Sequence, residues 1–236
     1  MIKKDRLIVA LDVAGLKEAE KIVKTLTPLV RIFKIGKELF TTAGPEDVKM
    51  VRRHKAKVFM DLKFHDIPNT VAAACEAATR LEVFMLNVHA SGGKQMLFQA
   101  VQAVHKTAAK EKIRPPLLLG VTVLTSLTDK DLKDIGVGQK IPAQVQRLAR
   151  LSKDCGLDGV VASGQEIGLI RKTVPKPFLV VTPGVRPLWA AQGDQKRIIT
   201  PKQAVADGAD YIVVGRPITQ NQDPKAAAKK ILEEMA

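Results

Sequence analysis

Short β-branched runs alternate with longer stretches of helical periodicity along this chain. The short runs are Leu7–Leu11, Arg31–Ile35, Lys57–Met60, Val83–Val88, Leu117–Val123, Gly159–Ala162, Phe178–Thr182 and Tyr211–Val214. Each is bounded by polar or turn-forming residues and is too short for a helix, so each reads as a strand. Between them, apolar positions recur three and four residues apart. This happens over Leu16–Leu26, Glu46–His54, Val71–Arg80, Lys94–Lys110, Ala143–Cys155 and Gln165–Lys172, and again from Pro224 to Met235. That spacing predicts helices with one buried face. Strands that are apolar on both faces belong to parallel sheets covered by helices. Eight of them in alternation with helices predict an α/β fold, the closed (β/α)8 TIM barrel. An open doubly wound sheet is the alternative, but no GxGxxG follows the first run. No stretch reads as a linker, and Lys110–Pro116 is a connection within the repeat pattern, so residues 1–236 are expected to form a single domain.

Composition agrees with this picture. The 236 residues come close to the roughly 250 of a typical barrel. With 46% hydrophobic but only 4% aromatic residues, the core must be built from aliphatic side chains. Cys75 and Cys155 stand outside any CxxC or Cys/His cluster, which argues against a structural metal and for a reduced, cytoplasmic setting. No apolar stretch approaches the roughly 18 residues of a membrane span, and the N-terminal pattern does not resemble a secretory signal.

The net charge of +14 raises the possibility of nucleic-acid binding. The basic residues are dispersed, however, and many stand beside acids, as in Lys17-Glu18-Ala19-Glu20-Lys21. Solvated helix faces and attraction for a small anion account for this pattern, so neither nucleic acid nor membrane is an expected partner. A basic, non-enzymatic nucleic-acid-binding barrel is the competing reading from another class.

In such a barrel, chemistry gathers at the carboxyl ends of the strands. Asp12 closes the first run, and Lys34 lies near the end of the second. Asp61 and Lys63 follow the third, Asn87 and His89 the fourth, Thr125 and Ser126 the fifth, and Ser163 the sixth. Gly184 and Arg186 follow the seventh, Gly215 and Arg216 the eighth. Every strand thus offers polar groups or a glycine turn at one rim.

The densest segment is Asp61-Leu62-Lys63-Phe64-His65-Asp66-Ile67-Pro68-Asn69-Thr70. Strand alternation places Asp61 and Lys63 on one face. Three charges in six residues are costly in a closed barrel unless they compensate one another. A lysine between carboxylates stays protonated and can give a proton to carbon. A strand-end salt bridge of purely structural value explains the same three residues equally well. Lys34 on the neighbouring strand tips the balance, because a second buried lysine needs a reason. Thr182-Pro183-Gly184-Val185-Arg186 and Val213-Val214-Gly215-Arg216-Pro217 supply two glycine turns with arginines after strands seven and eight. Barrels commonly bind phosphate there, through backbone N–H groups and forked arginine contacts.

The ten-residue segment resembles the signature of the orotidine 5′-monophosphate decarboxylase family. The likeness extends through Ala10-Leu11-Asp12, Phe33-Lys34-Ile35-Gly36, Asn87-Val88-His89-Ala90, Val123-Leu124-Thr125-Ser126, Thr182-Pro183-Gly184-Val185-Arg186, Gly193-Asp194-Gln195 and Gly215-Arg216. It implies a cofactor-free, metal-free catalytic barrel that converts orotidine 5′-monophosphate to uridine 5′-monophosphate. It implies Lys63 as proton donor to C6, Asp61 beside the leaving carboxylate, and Lys34 and Asp66 completing a charged array. It further implies a homodimer with shared sites, in which Asp66 and Thr70 act across the interface. Asp12 and Lys34 are then expected at the ribose and Thr125 and Ser126 at the pyrimidine. Arg186, Gln195, Gly215 and Arg216 are expected at the phosphate. The whole segment Asp61, Leu62, Lys63, Phe64, His65, Asp66, Ile67, Pro68, Asn69 and Thr70 is expected to contribute to substrate binding. The nearest alternative is a magnesium-dependent sugar-phosphate enzyme with a related Asp-x-Lys-x-x-Asp barrel. Such an enzyme needs a further carboxylate near the second strand, where this chain carries Lys34.

Overall fold

The computed structural model describes residues 5–190 and 199–235. Eight strands form a closed ring in sequence order, every neighbouring pair parallel. They are β1 (Leu7–Ala10), β2 (Ile32–Ile35), β3 (Lys57–Phe64), β4 (Met85–His89), β5 (Leu117–Val121), β6 (Gly159–Val161), β7 (Leu179–Thr182) and β8 (Tyr211–Val214). The helices among the described residues are α1 (Leu16–Leu26), α2 (Lys37–Ala43), α3 (Glu46–Arg53), α4 (Pro68–Arg80), α5 (Gly93–Glu111) and α6 (Asp129–Asp134). They continue with α7 (Ile141–Asp154), α8 (Ile167–Thr173), α9 (Pro201–Ala206), α10 (Arg216–Thr219) and α11 (Pro224–Glu234). The predicted closed barrel is therefore the observed fold. No helix among the described residues is long and apolar enough to cross a membrane.

Period-two alternation divides the core into two parts. Ile8, Phe59, Met85, Val121, Val161 and Tyr211 fill the barrel interior. Leu7, Val9, Phe33, Leu86 and Val180 point outward and meet the helices. Helices α2, α6, α9 and α10 have four to seven residues. Segments that short carry too few turns for a periodic signal, so the sequence pattern did not reveal them. Thr128 caps α6 in a reciprocal box with Asp131.

The third strand departs most from expectation. It runs four residues beyond Met60, and its register with β4 shifts between Met60 and Phe64. Lys63 inside this stretch has φ of +53°, a conformation that non-glycine residues rarely adopt. Asp61 and Lys63 do come together, but through an irregular strand end and not through a uniform pleat.

The rim at the amino ends of the strands is fastened by arginines. Arg6 donates to the carbonyls of Ala209 (2.6 Å) and Asp210 (3.1 Å), which ties the start of β1 to the start of β8. Arg171 pairs with the Asp210 carboxylate and donates to the carbonyls of Gly208 and Phe178. One buried charge stands apart from these networks. Asp47, in the first turn of α3, is 0% exposed, and among the described residues neither carboxylate oxygen meets a partner at hydrogen-bond geometry. Burial pushes its carboxyl up to about 7, against a smaller opposing pull from the Val48 N–H.

Candidate active site

Three strand ends build a continuous line of four charges at the carboxyl rim. Asp12, just past β1, accepts from Lys34 Nζ at 2.8 Å. Lys34 Nζ also lies 3.4 Å from Asp61 Oδ2. Asp61 Oδ1 accepts from Lys63 Nζ at 2.7 Å. The order is thus Asp12, Lys34, Asp61, Lys63, with signs alternating. Lys34 and Asp61 are 8% and 9% exposed, so their charges interact in a medium far less screening than water. Burial alone would lower the Lys34 pKa, but the Asp61 and Asp12 carboxylates outweigh it and the net shift is upward. Burial alone would raise the Asp61 pKa. Lys34, Lys63 and the hydrogen bonds from Lys63 and Asn87 reverse this, and the carboxyl is held below its usual range. Both groups are therefore charged at neutral pH.

Asn87 closes this arrangement from β4. It is fully buried, donates Nδ2 to Asp61 Oδ1 at 2.7 Å, and accepts the backbone N–H of Lys63 at 2.8 Å. Sequence reasoning placed Asn87 at a strand end but assigned it no role. Its position two residues before His89 on an inward-facing strand was the available signal. His89 stacks at 5.2 Å against His65. Burial, then His65, Lys63 and Lys37, push its pKa down to about 4 despite Asp61, so it is neutral near pH 7.

Two adjoining cavities open beside the charged line. The inner one, about 150 Å³, has Asp61, Lys63 and Lys34 on one side and Phe59, Val121 and Val161 as an apolar floor, with Thr125 at its edge. The outer one, about 370 Å³, is bordered by Asp12, Lys34, Arg186, Gly215 and Arg216. Lys34, Pro183 and Val213 border both, so one extended ligand can occupy the pair. Gly36 shows how tightly the wall is built. A Cβ there would stand 3.0 Å from Lys34 Nζ and 3.1 Å from Asp12 Oδ1. Gly184 has φ of +72° at the turn that leads to Arg186, which suits glycine.

The remaining sequence-predicted residues divide into three groups. Leu62 and Phe64 pack against the outer, helix-facing core and border neither cavity, because the alternating strand directs them away from the barrel interior. His65, Asp66, Ile67, Asn69 and Thr70 are exposed, with Pro68 half-buried at the first position of α4. Asp66 accepts from the Ile67 N–H at 2.6 Å and, among the described residues, forms no ion pair with Lys63. Ser126 is exposed after β5. Gln195 lies outside the described residues.

Fold and site together define a (β/α)8-barrel enzyme with a lysine–carboxylate centre beside a cationic outer cavity. The sequence profile of the Orotidine 5'-phosphate decarboxylase / HUMPS family matches residues 5–231. The chain is 53% identical over 231 residues to the orotidine 5'-phosphate decarboxylase of Syntrophotalea carbinolica, covering 98% of this chain and 95% of that one. It is 51% identical over 236 residues to that of Moorella thermoacetica, covering 100% and 94%. The crystal structure of orotidine 5'-phosphate decarboxylase from Lactobacillus acidophilus matches with a TM-score of 0.86 at 38% identity, covering 98% and 99%. The chain belongs to the orotidine 5′-phosphate decarboxylase / HUMPS family.

Proposed function

We infer that this chain decarboxylates orotidine 5′-phosphate to uridine 5′-phosphate and CO2, the last step of UMP biosynthesis. The observation that carries the reading is the Lys63 ammonium, bonded to Asp61 at the inner cavity, next to a Lys34 held between Asp12 and Asp61. The pyrimidine takes the inner cavity, with its edge at Thr125 and Ser126. The ribose meets Asp12 and Lys34, and the phosphate meets Arg186, Gly215 and Arg216, with Gln195 joining them. Scission of the C6–carboxylate bond leaves its electron pair on C6. Lys63 puts positive charge where that pair develops and then delivers a proton to it. Asp61 sits beside the departing carboxylate.

Two unit charges about 4 Å apart interact by roughly 4 kcal/mol at an effective dielectric near 20. Enzymes typically supply about 8–23 kcal/mol. The grip on the phosphate must therefore contribute binding energy from a distance.

Asp66 points to a second copy of the chain. Its carboxylate does not reach Lys63 within one chain, and its neighbour Ile67 is 66% exposed. A homodimer in which Asp66, with Thr70, completes the partner's site accounts for both facts. A single catalytic domain in the cytoplasm, without cofactor, metal, nucleic acid or membrane, fits the same reading. Lys34 argues against the magnesium-dependent sugar-phosphate alternative, because its ammonium puts a fixed positive charge against Asp61, where a divalent ion would need a ligand.

The test is an absorbance assay with orotidine 5′-phosphate, run with and without EDTA. Equal turnover in both is expected. Failure to turn over the nucleotide would overturn the function, and activity lost only in EDTA would favour a metal-dependent reaction.

A further inference from the structure

We propose that Asn87 is a positioning residue for the decarboxylation, using the two ends of one amide to fix Asp61 and Lys63 relative to each other. The inference rests on the function given above and concerns a residue that the charged line does not itself contain. Asn87 touches neither cavity directly. It acts through Asp61, by a 2.7 Å bond from Nδ2, and through the main chain of Lys63, by a 2.8 Å bond to Oδ1.

The geometry explains why an amide is needed. The ionised Asp61 carboxylate can only accept and the Lys63 backbone N–H can only donate, so a side chain that bridges these two groups must carry one group of each kind. Asn87 is fully buried, so both ends of its amide must be satisfied, and Asp61 and the Lys63 N–H do so. Its orientation is therefore fixed by the two bonds: the NH2 faces the carboxylate and the oxygen faces the N–H. The second bond falls on the residue whose φ is +53°, inside the stretch where β3 and β4 lose regular register. An uncommon backbone conformation persists only where its surroundings over-determine it. Asn87 supplies that constraint. It holds the Lys63 backbone in the conformation from which Nζ meets Asp61 Oδ1, and it fixes the Asp61 oxygen that Lys63 meets.

The charged and titratable groups facing Asp61 are Lys34 from β2, Lys63 from its own strand and His89 from β4, with Asp12 behind Lys34. Removing the Nδ2 donor takes away one of the groups that hold Asp61 ionised. The acid limb of the rate profile therefore moves to higher pH.

The experiment compares wild type, Asn87→Ala and Asn87→Asp in steady-state assays across pH, with binding of uridine 5′-phosphate and thermal melting measured alongside. Asn87→Asp keeps an acceptor for the Lys63 N–H and sets a second carboxyl against Asp61, so it tests the neutral amide donor together with the charge that replaces it. Both variants are expected to lose about 10- to 100-fold in kcat, the factor that a charge-assisted hydrogen bond represents. Their affinity for uridine 5′-phosphate should stay near wild type, and the acid limb should shift upward. A merely structural role would lower melting temperature and active fraction while leaving the pH profile in place. Folded variants with wild-type kcat and an unmoved acid limb would overturn the proposal. If Asn87→Ala does not fold, Asn87→Asp decides the matter alone. Wild-type turnover in the same assay tests the functional reading separately.

Discussion

At the scale of single residues, the site is a chain of mutual dependence. Lys34 keeps its charge because two carboxylates face it, and Asp61 keeps its charge because two ammonium groups do. Lys63 is the terminal member. Its removal leaves Asp61 with Lys34 and Asn87 still in place, so folding should survive. Lys63→Ala is expected to lower kcat by about a thousandfold or more, with the melting temperature changed by only a few degrees. Substantial turnover in a preparation free of wild-type enzyme would contradict the assigned role. Much of this was legible beforehand: Asp61, Lys63 and Lys34 stand out because charges at buried strand ends require compensation. What was not legible is the backbone of Lys63. Nothing in its local sequence calls for a positive φ, which is imposed by the neighbouring strand. Asn87 escaped for the same reason, since its importance lies in two contacts made across 24 and 26 residues of sequence.

At the scale of elements, strands and long helices were readable because burial repeats with their period. The extension of β3 and the short helices were not, because packing and capping set them. Helix α3 carries the clearest energetic anomaly. Asp47 has a folded pKa of about 7 against 3.8 for an ordinary aspartate, so the folded state binds its proton more tightly than the unfolded state. The resulting cost to stability is absent at low pH, grows between the two values, and is complete above the higher one. Asp47→Asn should therefore be more stable than wild type at pH 8, by on the order of 2–4 kcal/mol. Denaturant titrations should show that advantage disappearing near pH 4, and a pH-independent difference would refute the account. At the turn after β8, Arg216→Ala should weaken uridine 5′-phosphate binding by about tenfold or more. Binding of uridine should be little changed. Equal losses for the two ligands would move Arg216 away from the phosphate.

At the scale of the whole molecule, the closed ring was legible from the count and order of strands, whereas the +14 charge was not decisive by itself. The charge gains meaning only when Arg186 and Arg216 are found at one cavity. The assembly carries its own prediction. If Asp66 acts across a dimer interface, mixing inactive Lys63→Ala and Asp66→Asn chains creates hybrids with one intact site and one doubly damaged site. Random re-association should then restore roughly a quarter of wild-type activity. No recovery after verified subunit exchange would mean that each chain completes its own site.

The arginine clasps have a consequence for how this protein can change. Arg6 and Arg171 join strands and turns at the end of the barrel remote from the reacting groups. Contacts that fasten the ring and the charged groups of the site thus lie at opposite poles of one body. A breeder of hardier variants would work the arginine pole and leave the acid–lysine pole untouched.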